Sequence, residues 1–197
     1  NGSIFVGGYG EMGFLAPNSK GIMEYCSLVP KIDSAYLDFK EIWDINCFGD
    51  TVFFLSDKFI FKYCNGMFTY FKSRSKGFYL SFSVCNSYYV QELGVGLMKY
   101  TGGAFKLIKG GDFFSDIFIH SVFPDERGLL IATRKKGFFL VDTLSSFQKI
   151  QSVADLSLKA KKTNDYFIKH SFYHGIEITK NVYAFSSISG DLLIVDK

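Results

Sequence analysis

Gly128-Leu-Leu-Ile-Ala-Thr-Arg-Lys-Lys-Gly-Phe-Phe-Leu-Val-Asp142 reads as a short strand, a polar turn and a second strand. Leu129 to Thr133 is an apolar run of strand length, too short for a helix. Arg134 to Lys136 is polar, and Gly137 can take the positive φ that a tight reversal needs. Phe138 to Val141 is a second run of aromatic and branched residues. Upstream, Phe123-Pro-Asp-Glu-Arg-Gly128 reads as another turn, opened by Pro124 and ended by Gly128. Ile117 to Val122 precedes it, and Phe147 to Gln151 follows the second run. The unit is therefore four strands in up-and-down order.

Weaker copies run along the whole chain. Phe39 to Ile45, Thr51 to Leu55, Phe59 to Tyr63 and Met67 to Phe71 form one, with the Asn65-Gly66 hairpin signal before its last strand. Phe78 to Val84, Ser87 to Gln91, Gly94 to Tyr100 and Ala104 to Ile108 form another, with Gly102-Gly103 as a turn. The first copy, Ser3 to Val6, Gly13 to Ala16 and Gly21 to Leu28, lacks an opening strand. The last begins with Tyr166 to His170 or His174 to Ile178, continues with Asn181 to Phe185 and Asp191 to Val195, and lacks a fourth strand. Between these copies, Ser152 to Asn164 reads as a loop with one helical turn from Val153 to Leu158. The second strands start near residues 3, 51, 87, 129 and 181, a spacing that straddles the roughly 40–50-residue period of propeller repeats.

The fold class is accordingly all-β, a β-propeller of about five four-stranded blades over residues 1–28, 39–71, 78–109, 117–151 and 166–197. Ends that fall inside blades point to an incomplete arc of a larger ring of about seven blades. Such an arc would leave two blade faces bare, to be covered by missing sequence or by a second copy in a homodimer.

Composition agrees. Hydrophobic residues make up 48% of the 197, and 23 Phe and 12 Tyr against a single Trp favour strands. A net charge of +3 is too small to imply nucleic acid or an anionic membrane. No run reaches the roughly 18 apolar residues of a membrane helix, so any membrane attachment would come through flanking segments. Asn1 opens almost directly into a strand, and the chain reads as a piece of a longer one. Cys26, Cys47, Cys64 and Cys85 lack the Cys-x2-Cys pairing of a zinc site and read as buried free thiols in a sheet core, with a disulfide open in an oxidising compartment.

The opening stretch resembles the two-component regulator propeller repeat, with its Gly-x-Leu-Trp-Ile-Gly-Thr-x-x-Gly-Leu-x-x-Tyr-Asp core. Ser3-Ile-Phe-Val-Gly-Gly-Tyr-Gly-Glu-Met-Gly-Phe-Leu15 is similar, Glu41-Ile-Trp-Asp-Ile45 looks like a first strand, and Leu93-Gly-Val-Gly-Leu-Met-Lys-Tyr100 like a second turn and third strand. The family's second-strand Trp is replaced by Phe5, Phe53, Tyr89, Leu130 and Tyr183. The resemblance implies a non-catalytic periplasmic sensor domain of a membrane-spanning, often hybrid, histidine kinase. It also implies a ligand such as an oligosaccharide, since many members respond to polysaccharide fragments. A carbohydrate-active propeller hydrolase or lyase, and a protein-interaction scaffold, are the competing classes. WD-type repeats fit poorly, because Trp43-Asp44 lies in a first strand.

Local motifs yield no catalytic, cofactor-binding or metal-ligating residue, and ligand-binding residues are not legible. Gly8-Tyr-Gly-Glu-Met-Gly13 matches Gly-x-Gly-x-x-Gly, but Pro17, Asn18 and Gly21 follow where a dinucleotide site needs a helix, so these read as turn glycines. His170 and His174 have metal-pair spacing without a third ligand, and His120 stands alone in a strand. Asp125 and Glu126 are adjacent in a turn, unlike a glycosidase pair. Asp44, Asp112 and Asp116 have no partner placeable from sequence. Lys159 to Lys162 reads as a solvated loop, and Asn1-Gly2-Ser3 as a terminal sequon.

Overall fold

A computed structural model describes residues 3–143 and 150–196. The strands form five antiparallel sheets, each laid down in chain order. The first sheet holds β1 (Ile4–Gly8), β2 (Glu11–Pro17) and β3 (Met23–Ser27). The second holds β4 (Asp44–Phe48), β5 (Thr51–Leu55), β6 (Phe59–Cys64) and β7 (Met67–Lys72). The third holds β8 (Phe78–Val84), β9 (Ser87–Glu92), β10 (Gly96–Thr101) and β11 (Ala104–Leu107). The fourth holds β12 (Ile119–Asp125), β13 (Gly128–Thr133), β14 (Gly137–Asp142) and β15 (Ile150–Ser152). After a helix, α1 (Leu158–Lys169), the fifth holds β16 (Phe172–Thr179), β17 (Val182–Ser187) and β18 (Leu192–Asp196). This is an all-β fold of up-and-down sheets, consistent with a propeller-like arrangement. The chain divides into two compact units, one ending at Gly94 and one starting at Val95.

In the first unit the tight turns have the chemistry their geometry demands. Asn65 and Gly66 both take positive φ, 50° and 80°, as a two-residue reversal between β6 and β7 requires. Phe5 and Phe14 of the first sheet pack with Phe54 and Phe61 of the second into one core, joined by Met12, Leu28 and Phe39. The connection after Leu28 is two 3-10 turns, and its Tyr36 stacks on Tyr70 of β7 with centroids 4.1 Å apart. Ring stacking and burial together fix this crossover on the sheet.

The opening stretch lies in the second unit and is the best-buried hairpin of the chain. Every residue of β13 is buried. Thr133, fully buried, donates its hydroxyl to the Gly137 carbonyl at 2.7 Å and accepts from the Lys136 N–H at 3.2 Å, which closes the turn. Gly137 has φ +74°, and a Cβ there would run into the side chain of Asn164. That close approach lets the Asn164 carbonyl oxygen accept from the Phe138 N–H at 2.8 Å and tie α1 to the turn.

Several readings change, among them the strand expected at Phe39 to Ile45, which forms instead as β4, Asp44–Phe48. Pro124 does not open a turn: it is paired with Leu129 inside β12, and the reversal is only Glu126-Arg127. Because β12 lies at the end of its sheet, a residue without an N–H is tolerated there. Tyr166 to His170 is not a strand but the last turn of α1, and the alternative first strand around His174 is the one formed, as β16. The single helical turn at Val153 is a 3-10 turn, Val153–Asp155, and the long helix follows it. Phe147 to Lys149 lies outside the described residues, and only β15 represents the fourth strand there.

Candidate ligand pocket

A cavity of about 260 Å³ opens in the second unit between the fourth and fifth sheets. Leu130 of β13 and Leu140 of β14 form one wall, and Tyr183 of β17 and Val195 of β18 the other. The α1 side is closed by Ala160, with Lys159 and Asp196 at the rim. Deeper between the same sheets the space is filled by aromatic rings: Phe185 meets Phe138 at 5.3 Å and Phe167 of α1 at 5.0 Å. The helix exists where it does because Ser157 caps it, accepting from the Ala160 N–H at 3.0 Å. Its inward stripe is Ala160, Asn164 and Phe167, of which Asn164 and Phe167 are buried.

Tyr183 lines this cavity, and Ser157, Lys159, Thr163 and Asp196 are the cavity's other polar side chains. The Tyr183 side chain is 1% exposed, its ring packs on Phe123 at 4.7 Å, and its hydroxyl is buried without a hydrogen-bond partner among the described residues. Burial pushes the phenol above its usual range, and the carboxylates of Glu177 and Asp125 add to the shift. It is therefore a protonated donor at neutral pH.

Two carboxylate sites in the first unit, Asp44 half-buried and Glu92 buried, were not legible as pairs. Asp44 accepts from the Ser81 hydroxyl at 2.6 Å and from the Ser81 N–H at 3.1 Å, and Asn46 donates to it at 3.0 Å. Burial raises its pKa despite the hydrogen bonds. Glu92, 1% exposed, accepts from the Ser73 hydroxyl at 2.8 Å and from the N–H groups of Arg74 and Ser75. Both anions are satisfied by the chain itself, so they act as ties between strands and loops rather than as open sites.

The residues singled out in the sequence are scattered. Tyr9 and Gly10 form the β1–β2 reversal, with no helix after them, while Gly8 and Gly13 lie on the strands themselves. His120 is buried in β12, His170 caps α1, and His174 is exposed on β16. Burial, then the charges of Arg134 and His174, lower the His120 pKa to about 4. His170 stacks on Tyr166 at 4.1 Å and lies 3.5 Å from Asp191, whose carboxylate is lowered by hydrogen bonds from Ser189 and Ser187 and by His170. No group of three or more metal-ligating side chains occurs among the described residues. Asp125 ends β12 and accepts from the Arg127 N–H at 3.1 Å, with Glu126 in the turn. Asp112 is exposed in a 3-10 turn and Asp116 exposed just after it. Lys159 to Lys162 is helix, not loop. The four cysteines are free, but none is buried: Cys47 and Cys85 are exposed and Cys26 and Cys64 half-buried. Asn1 and Gly2 of the sequon lie outside the described residues.

No family model matches the sequence, and no curated protein matches it significantly. The structure is similar to the extracellular domain of a hybrid two-component system protein from B. thetaiotaomicron, with a TM-score of 0.61 and 13% identity. The match covers 84% of this chain and 22% of that one, so the chain spans about a fifth of its neighbour's length. The resemblance read from the repeats thus meets a matching fold, which is all that so low an identity shows. No helix among the described residues is long and apolar enough to cross a membrane.

Proposed function

We propose that this chain is an extracytoplasmic ligand-sensing part of a two-component signalling protein, non-catalytic itself, which passes a binding signal to a histidine kinase elsewhere in the protein. The observation that carries this reading is the fold likeness to the extracellular domain of a hybrid two-component system protein, reached independently of the repeat pattern that resembles the regulator propeller. The bare apolar face of the fifth sheet supports the further reading that the chain is an arc of a larger ring. Ile176, Ala184 and Ile194 form one cross-strand row, with Leu192 beside it, and Ile176, Ile194 and Leu192 are 55%, 52% and 71% exposed. A further sheet, or a second copy in a homodimer, would cover such a face. The ligand class that goes with the resemblance is an oligosaccharide, and the setting is the periplasm.

The test is made in the parent reading frame. With residues 3–196 deleted in frame, autophosphorylation of the kinase and induction of its target genes should no longer respond to a panel of polysaccharide fragments. A parent frame without a kinase module, or a response that survives the deletion, would sink the reading.

A further inference from the structure

We infer that the cavity between the fourth and fifth sheets binds a free amino acid with a large apolar side chain, seating that side chain inside and leaving the α-ammonium and α-carboxylate at the mouth. The interior suits the side chain: Leu130, Phe138, Leu140, Val153 and Val195 line it. A dry apolar cavity of about 150 Å³ holds one benzene ring, and this one is about 260 Å³. A phenyl ring with its methylene stem therefore fits, and its removal from water is the main source of affinity.

The mouth selects the head group. Of the polar side chains around the cavity, two serve the helix: Ser157 accepts from the Ala160 N–H at 3.0 Å, and Thr163 donates to the Lys159 carbonyl at 3.2 Å. Two others, Lys159 and Asp196, are exposed, opposite in charge and outside every ion pair among the described residues. A purely anionic head would gain Lys159 and meet Asp196 as a like charge, and a purely cationic head the reverse. A head bearing both signs finds a partner for each. At the rim it stays in water, so little of the cost of desolvating its charges is incurred. The site does not depend on the signalling reading, nor on where an oligosaccharide would bind.

The test uses L-phenylalanine beside three probes that each lack one part of it: 3-phenylpropionate the ammonium, 2-phenylethylamine the carboxylate, and glycine the apolar body. Each is titrated into the 197-residue chain while amide shifts of β13, β14 and α1 are followed by NMR. L-Phenylalanine should saturate shifts there and bind about two- to fivefold tighter than either of the other ring probes, the scale of one exposed ion pair. Glycine should not saturate them. Lys159→Gln should weaken L-phenylalanine to the level of 2-phenylethylamine, and Asp196→Asn to the level of 3-phenylpropionate. Both side chains are exposed, so these variants keep the fold. The proposal is overturned if L-phenylalanine does not saturate those shifts, if glycine binds as tightly, if removing either charged group from the probe leaves the affinity unchanged, or if either substitution does.

Discussion

The fourth and fifth sheets are written in the same alphabet and live in different surroundings. In the fourth, β13 is buried at every position, and β14 at all but Asp142. In the fifth, β18 is Leu-Leu-Ile-Val-Asp, as apolar as β14, yet its residues alternate between half-buried and exposed. Leu193 and Val195 turn toward the fourth sheet, while Leu192 and Ile194 turn away from it. A strand destined for water on one side normally alternates apolar with polar residues, and a strand covered on both sides does not. The fifth sheet therefore carries the sequence of a covered sheet on a face that stays exposed among the described residues.

The largest effect that tests this contrast comes from the covered face. Phe185→Ala removes a fully buried ring that touches Phe123, Phe138 and Phe167. It should cost about 3–5 kcal/mol, read as a lowered urea midpoint with an unchanged slope. A loss under about 1 kcal/mol would mean that the two sheets do not share the core described.

Next in size is the acid arm of stability, set by His120 at the side of the fourth sheet that meets Tyr173 of the fifth. Its folded pKa of about 4 lies below the unfolded value of about 6.5. The unfolded chain thus takes the proton first, and stability is lost as pH falls from about 6.5 to about 4. The full shift corresponds to at most roughly 3 kcal/mol. In His120→Gln the urea midpoint should fall less steeply across that window, and an unchanged profile would show that His120 is not held neutral.

The smallest expected effect is the most telling for the comparison. Ile194→Thr changes an exposed side chain of the bare face and should move the midpoint of this chain by no more than about 0.5 kcal/mol. In the proposed parent protein, where a further sheet or a second copy would lie there, the same substitution should cost several times more. Equal, small losses in both settings would mean the face is bare by design.

Strands were legible where one hairpin held its own information. Asn65-Gly66, and Gly102-Gly103 at φ 58° and 81°, mark their reversals with residues chosen for backbone geometry. The helix was hidden because a polar residue interrupts its short inward stripe. Asn164 occupies it for the Phe138 N–H, and Ala160 and Thr163 line the cavity instead of filling a core. With Tyr166 and Phe167 adjacent, the segment imitated a strand, although Ser157 carried a capping signal. The cavity itself could not be read at all, since Leu130, Ala160 and Tyr183 meet only across two sheets and a helix. For the same reason Asp44 and Ser81, and Glu92 and the loop after Lys72, were invisible as partners: each lies on a separate strand or turn, and no local spacing connects them.

Exposed sulfur has a practical cost for a protein of this proposed setting. Outside the cytoplasm no glutathione pool keeps the thiols of Cys47 and Cys85 reduced, so they are open to covalent coupling between molecules or to oxidation in place. Material kept in air should accumulate cross-linked pairs that imitate an association through the apolar face, and only reductant in the buffer separates the two.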